Sequence, residues 1–273
     1  MLCEDGEEKR VLTAVEYLGS VGVGVTVPRI FRADDGNIYV VKLQNNPMGT
    51  KVLTNEYIAC WFGKRMDLCF PPSDLIQIDE PLLERHKSLR AAKIRPKTHF
   101  ASRYIPGNQY VTKNNLSKAV NKSAMAGVML FDHMFHNVDR TKNRKNLLVC
   151  VQNSTYRLYA IDNSHLFVRG RWNSRSLENL VEKIVINRRR AYGWLLTYFF
   201  TSGDFTCYAD AVKKIRKEDL VQLVNGIPEE WLPKPADRDA LLSYMIKRCK
   251  MVDRIVLRLC QSISDVNRRT HFH

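Results

Sequence analysis

The stretch Phe135–Phe167, FHNVDRTKNRKNLLVCVQNSTYRLYAIDNSHLF, constrains this chain more than any other. Two short β-rich runs, Leu147–Val151 and Tyr156–Ile161, flank the polar Gln152-Asn153-Ser154-Thr155. Runs of that length around a polar turn read as a β-hairpin. With the turn centred near Asn153, Asn146 falls beside Ile161 and next to Asp162. An Asn directly before one strand and an Asp directly after its partner then share the open end of the hairpin. Oxygen ligands converging there suit a hard cation such as Mg²⁺. Asp139 sits in a polar loop seven residues ahead of Asn146, close enough to orient a nucleophile.

Phosphoryl transfer needs this set: a carboxylate that accepts the substrate proton, and an Asn and an Asp that hold Mg²⁺ on the phosphates. In protein kinases the Asp precedes the metal-binding Asn by about five residues. Here the gap is seven, and Asn143, at four, is a rival ligand. Asn146 is preferred because it stands immediately before the strand. The competing reading is an Asp/Asn-rich turn beside an ordinary hairpin.

The first part of the chain carries matching pieces. Val25–Phe31 is β-rich, Asp34-Asp35-Gly36-Asn37 is a hairpin signal, and Ile38–Leu43 returns as a second strand. Lys42 ends Tyr-Val-Val-Lys on that strand. Glu56 lies on a helix expected over Thr54–Arg65, with Tyr57, Ile58, Trp61 and Phe62 on one face. A strand Lys held by a helix Glu is how a kinase presents a cation to nucleotide phosphates. Taken singly, such a Lys is more often an edge residue and such a Glu a helix-dipole partner. The run Gly19-Ser20-Val21-Gly22-Val23-Gly24 precedes the hairpin, and its glycines let backbone amides approach phosphates. It matches neither GxxxxGK[ST] nor a full GxGxxG. Phe100–Ile105 reads as a short extended segment ended by Pro106-Gly107.

Beyond that point helices dominate. One is expected from Asn114 or Asn115 to about Asn137, and others over 176–200, 207–225 and 236–261. Mostly β followed by mostly α is an α+β layout in two lobes, 1–103 and 104–273. Charge divides at the same place. Residues 1–103 hold 15 Lys+Arg against 13 Asp+Glu, a net of +2, whereas 104–273 hold 28 against 15, a net of +13. Such an excess suits an acidic partner, a polyanion or a membrane surface, or only a solvated face. With 45% hydrophobic and 26% charged residues the composition is globular, which excludes disorder and fibrous classes. No apolar run approaches ~20 residues, so no spanning helix is expected. The acidic start MLCEDGEEKR has no signal-peptide character. Seven widely spaced cysteines without a CxxC pair suit a reduced, cytoplasmic chain.

The phrases Asp35-Gly36-Asn37-Ile38-Tyr39-Val40-Val41-Lys42, Asn55-Glu56-Tyr57-Ile58-Ala59 and Ser102-Arg103-Tyr104-Ile105-Pro106-Gly107 resemble the HipA-like kinases, especially their small bacterial branch. So do Asn137-Val138-Asp139-Arg140-Thr141, Asn146-Leu147-Leu148, Ile161-Asp162-Asn163-Ser164 and Ile227-Pro228-Glu229-Glu230-Trp231-Leu232. Asp139-Arg140 and the Ile-Asp-Asn phrase are also similar to type II phosphatidylinositol 4-kinases. The resemblance implies a bilobal protein-kinase-like fold, ATP and Mg²⁺. It implies that Lys42 contacts the nucleotide phosphates, with Gly22 and Gly24 nearby, and that Glu56 pairs with Lys42. Asp139 is implied as the catalytic carboxylate, Asn146 and Asp162 as metal ligands, and Ser102, Arg103 and Tyr104 as part of the hinge facing adenine. The long N-terminal extension of the toxin members is missing, and Asn-Ser follows Asp162 where protein kinases have Phe-Gly.

The expectation is thus an ATP-dependent phosphotransferase, acting on a Ser or Thr of a protein or another hydroxyl-bearing acceptor, with an acidic acceptor or docking surface favoured. The alternative is a nucleotide-binding adaptor whose basic second part binds a partner. Nucleic acid is third, because it leaves the ordered Asp and Asn residues unexplained. His133 and His136 read as ordinary helix-end residues rather than metal ligands. Arg188–Arg190 and Lys213–Lys217 read first as solvated faces, and Tyr192, Trp194, Tyr198, Phe199 and Phe200 as core.

Overall fold

The computed structural model describes residues 11–22 and 24–263. Its first half is built on a closed five-stranded barrel, in the order β1-β2-β3-β5-β4. Strands β1 (Leu12–Ser20), β2 (Arg29–Ala33) and β3 (Ile38–Lys42) form an antiparallel meander. Helix α1 (Lys51–Arg65) leads to β4 (Ser73–Gln77), then short α2 (Glu80–Arg85) and α3 (Lys87–Ala91), then β5 (Thr98–Arg103). β5 lies between β3 and β4, pairing Val40 with Ser102 and Leu75 with Phe100. The β2–β3 turn falls on the expected Asp34–Asn37, where the Asp35 carboxylate accepts the Asn37 N–H at 2.9 Å. Inward-pointing Phe31, Val41, Ile76 and Ala101 fill the barrel.

A three-stranded sheet follows, made of β6 (Asn108–Tyr110), β7 (Leu147–Gln152) and β8 (Thr155–Ala160). Between β6 and β7 come α4 (Lys113–Lys118), α5 (Met125–Met134) and α6 (Val138–Lys142). After β8 come α7 (Ser174–Leu180), α8 (Arg190–Trp194), α9 (Thr206–Lys213), α10 (Lys217–Asn225), α11 (Pro235–Lys250) and α12 (Val252–Cys260). α5 is buried along its whole length, at the centre of the larger core. Each fully buried Leu, Met or Phe there contributes roughly 1.5–3 kcal/mol relative to exposure. α1 belongs to this same core rather than to the barrel's, through Val52, Leu53, Ile58 and Phe62. No helix among the described residues is long and apolar enough to cross a membrane. Cys69, Cys150, Cys207, Cys249 and Cys260 are in no disulfide.

The β7–β8 hairpin has the expected register. Leu147 pairs with Ala160, and the Ile161 N–H donates to the Asn146 carbonyl at 3.0 Å. Its turn places Asn153 and Ser154 both at positive φ, the geometry of a two-residue hairpin loop. Other expectations are corrected. The strand expected from Val25 begins only at Arg29, and β1 and β4 were not anticipated. The helix expected over 114–137 breaks at Ala119, because the chain there bonds to β8 instead. Val120 N–H donates to the Tyr156 carbonyl at 2.9 Å, and the Asn121 amide brackets the Leu158 backbone at 2.8 and 3.0 Å. Over 176–200 the chain leaves helical form after Leu180. The carbonyls of Val181 and Lys183 are turned to the buried Arg248 guanidinium, at 3.0 and 2.8 Å. The helix expected over 207–225 is α9 and α10, separated where Asp219 caps the Arg216 N–H at 2.9 Å. That over 236–261 is α11 and α12, meeting at Met251.

Candidate active site

Lys42 is the last residue of β3, and its side chain points away from solvent. Glu56 lies one and a half turns into α1 and is buried with it. The Lys42 ammonium donates to the Glu56 carboxylate, and also to Asp162 Oδ1 and Ser164 Oγ, each at 2.7 Å. Glu56 Oε1 further accepts the Asn163 N–H at 2.9 Å. Burial alone would raise the Asp162 carboxyl, but the Lys42 charge and hydrogen bonds from Lys42 and Ser164 outweigh it and hold it well below the usual carboxylate range. Burial likewise opposes the Lys42 charge, and the Asp162 and Glu56 carboxylates reverse that and raise it. Lys42 and Asp162 are therefore both charged at neutral pH.

Asp162 follows β8 directly and takes a left-handed backbone, with φ of 59°. The turn it begins is tightly packed. A Cβ on Gly170 would stand 2.2 Å from the Ser164 carbonyl oxygen, and its φ is 72°, so only glycine fits. Asn55 on α1 donates to the same Ser164 carbonyl at 2.7 Å and accepts from the Trp172 indole at 2.9 Å. Lys51, one turn earlier, bonds Asp237 on α11 at 2.6 Å and also the Trp172 carbonyl. The helix that carries Glu56 is thereby bolted to the Asp162 loop and to α11.

Asp139 opens the short α6. Its Oδ2 accepts the Asn146 side-chain N–H at 2.6 Å. A carboxylate can only accept, so this bond sets the Asn146 amide with its nitrogen toward Asp139 and its Oδ1 on the opposite side. Asn143 is committed elsewhere, since its Oδ1 accepts the Lys145 N–H at 3.1 Å and its Nδ2 reaches Asn146 Oδ1 at 3.3 Å. Arg140 is buried behind this loop. Its Nε donates to Asp132 Oδ2 at 2.8 Å, and its other nitrogens reach the carbonyls of Asn146 and Ile161 and the Asn163 side chain. One guanidinium thus links α6, the start of β7 and the end of β8.

These elements enclose a cavity of about 440 Å³. Lys42, Glu56, Asn146 and Asp162 line it, as do Gly24, Ser102, Arg103 and Tyr104, so most of the expected site residues are brought together. Gly22 is not among the lining residues, where its neighbour Val21 is. Asp139 stands just behind Asn146 rather than on the wall. Val40 and Leu148 provide apolar lining. Sequence reasoning missed His165, whose Nδ1 lies 3.9 Å from Asp139 Oδ2, and the Asp132–Arg140 pair. It also missed Asn55 and Trp172. His133 and His136 are structural, as expected. His133 Nε2 accepts the Asn187 N–H at 3.1 Å while Nδ1 donates to the Met129 carbonyl, and His136 sits between the Tyr244 hydroxyl and the Lys183 carbonyl. No group of three or more His, Cys, Asp or Glu among the described residues could hold a metal. A cation in this cavity therefore has to use amide oxygen as well as carboxylate. Tyr192 and Phe200 are core, whereas Tyr198 is exposed beneath Lys113.

Residues 14–256 match the model of the HipA-like kinase family. The chain belongs to that family. Its fold resembles the Helicobacter pylori proinflammatory kinase CtkA at a TM-score of 0.60 and 12% identity, over 92% of this chain and 98% of that one. A Golgi casein kinase solved with Mn and ADP matches at a TM-score of 0.47 and 11% identity, over 90% of this chain and 72% of that one. No curated protein matches.

Proposed function

We propose that this family member is an ATP-dependent phosphotransferase of bilobal protein-kinase type, moving the γ-phosphoryl group to a Ser or Thr hydroxyl of a protein. The observation that carries the reading is the convergence on one cavity of the Lys42–Glu56 pair, Asp162 and Asn146, with Asp139 bonded directly behind Asn146. Val40 and Leu148 offer apolar faces to a base, beside the Ser102–Tyr104 segment. Glu56 keeps Lys42 extended and charged toward the phosphates. Asp139 accepts the acceptor hydroxyl's proton, and its bond from Asn146 orients it.

The donor set suits Mg²⁺, a hard cation that takes oxygen ligands. Asn146 Oδ1 is turned away from Asp139, and the Asp162 carboxylate is held ionised, so these two residues would hold it. When bound, it would neutralise phosphate charge in the transition state. Asn146 is favoured over Asn143 because its bond to Asp139 fixes its amide at the open end of the hairpin, whereas the Asn143 oxygen is turned to the Lys145 N–H. The complete set of Lys42, Glu56, Asp139, Asn146 and Asp162 supports catalysis over an adaptor that only binds nucleotide.

Two measurements test this. Millimolar ATP with Mg²⁺ should raise the thermal midpoint, since only the folded chain assembles the site. Labelled ATP should transfer to protein in a cell lysate, and Asp139→Asn should reduce transfer by ~10²-fold or more while sparing nucleotide binding. An unmoved midpoint together with Asp139-independent labelling would remove the proposal.

A further inference from the structure

Positive charge gathers around Asp139 beyond what a nucleotide needs. Between residues 138 and 192 there are 12 Lys and Arg against 4 Asp and Glu, and two of those acids are Asp139 and Asp162. Lys142, Arg144 and Lys145 follow Asp139 directly, and Lys145 reaches the rim of the cavity. Arg188, Arg189 and Arg190 approach from a different segment. All six are exposed. Some exposed cations elsewhere pair with carboxylates, as Lys213 does with Asp210 at 2.9 Å and Arg32 with Glu16 at 2.8 Å. Among the described residues none of these six does.

The second group is held in place beside the first. Asn187 donates from its side chain to the Thr141 hydroxyl, on the same short helix as Asp139. Its backbone N–H is bonded to His133, and its Oδ1 accepts the Arg189 N–H at 3.2 Å. Behind it α8 packs so closely that a Cβ on Gly193 would stand 2.5 Å from the Arg188 carbonyl oxygen. The triplet is thus an anchored ledge, one hydrogen bond removed from the helix of Asp139. Tyr192, which follows the triplet in sequence, is fully buried and gives a base nothing to stack on there, whereas the exposed Tyr110 ring lies under Lys145 at the cavity rim.

We propose that this cationic rim seats an acidic peptide: the acceptor carries Asp, Glu or phosphorylated residues flanking its Ser or Thr. The inference rests on the phosphotransferase reading above and adds the substrate class. Unpaired exposed cations raise the encounter rate with an acidic segment, and the gain shrinks with the Debye length, from ~10 Å at 0.1 M salt to ~3 Å at 1 M.

The test uses the full chain, labelled ATP with Mg²⁺, and Ser peptides that differ only in Asp/Glu, Ala or Lys/Arg flanks. The expected kcat/KM is at least ~10-fold higher for acidic than for Ala flanks at low salt, with the ratio collapsing toward one near 1 M. The variant R188E/R189E/R190E should reverse the ranking of the peptides, and a Gln triple should flatten it. Thermal midpoints of both report folding. Asp139-dependent ATP turnover with no preference among flanks overturns the acidic-peptide inference and leaves the phosphotransferase reading standing. If wild type and Asp139→Asn alike turn over no ATP and label no peptide, the phosphotransferase reading itself has failed, and this inference with it. If the triple reversal instead abolishes retention of labelled single-stranded DNA and leaves the peptide ranking unchanged, the rim is a nucleic-acid surface and the inference is wrong.

Discussion

Replacing Arg140 by Met should be among the most damaging single changes in this chain. The guanidinium is 1% exposed and bonds Asp132, two backbone carbonyls and Asn163. Met fills similar volume, so packing is nearly preserved and the loss is polar. Removing one partner of a buried ion pair costs about 3–5 kcal/mol, because the remaining charge stays buried. For a chain of this size each kcal/mol moves the midpoint by roughly 2–4 °C, so the fall should be ~6–20 °C. Tyr192 and Asn137 also donate to Asp132 and cannot replace the charge. Arg140→Met with Asp132→Leu removes both charges and should recover much of that stability. It should not recover the ATP-dependent midpoint shift, since the carbonyls of Asn146 and Ile161 still lose the donor that ties them together. Thermal denaturation with and without ATP and Mg²⁺ measures both effects. A single variant within about 2 °C of wild type, or a double variant no more stable than the single, would refute this account of Arg140.

Three further outcomes are expected. Lys42→Met should lower transfer by ~10²–10³-fold, as for loss of one preorganised charge at the reacting group, and it leaves the Glu56 and Asp162 carboxylates facing each other. Its stability deficit should therefore narrow as pH falls through the carboxylate range near ~4, and a pH-independent deficit would contradict the geometry. Asn146→Ala should raise the Mg²⁺ concentration needed for half-maximal transfer more than Asn143→Ala does; the opposite order would reassign the ligand. Burial pushes the His99 imidazole down to about 4, and its Nδ1 accepts the Gln44 N–H at 3.1 Å, so the folded chain holds it neutral. The unfolded chain binds that proton below ~6.5, so stability falls with pH from there down to the folded value, by on the order of 2 kcal/mol at pH 5. His99→Asn should flatten that part of the denaturation profile, and an unchanged slope would show that His99 is not the group responsible.

What was legible in the sequence was local. The β7–β8 hairpin, the Asp34–Asn37 turn and the helix of Glu56 are encoded by neighbouring residues, and their registers placed Lys42, Glu56, Asn146 and Asp162 around one cavity. The breaks in the long helices were not legible, because each is made by a distant partner. Arg248 takes carbonyls that helix 176–200 would have used, and β8 takes the backbone after α4. Helical periodicity continues through such points, so the pattern alone overruns them.

The residues that set the site's geometry were hidden for a related reason. Arg140 reads as one more cation in a basic run, and Asn55 as a polar residue beside Glu56. Their roles appear only when 109 residues of chain bring Ser164 to Asn55, and when Asp132 lies under the loop that follows it. A buried polar residue is stable only with its partners present. Its placement in the core is therefore evidence of a specific long-range bond, though sequence cannot say to what. Here those bonds run from α1 to the Asp162 loop and from Arg140 to both strands of the hairpin. They fasten the Lys42–Glu56 pair and the Asp139–Asn146 pair to one frame. Loosening Asn55 or Arg140 therefore changes the spacing of charges that neither residue touches, which is how positions outside the cavity come to govern what happens in it.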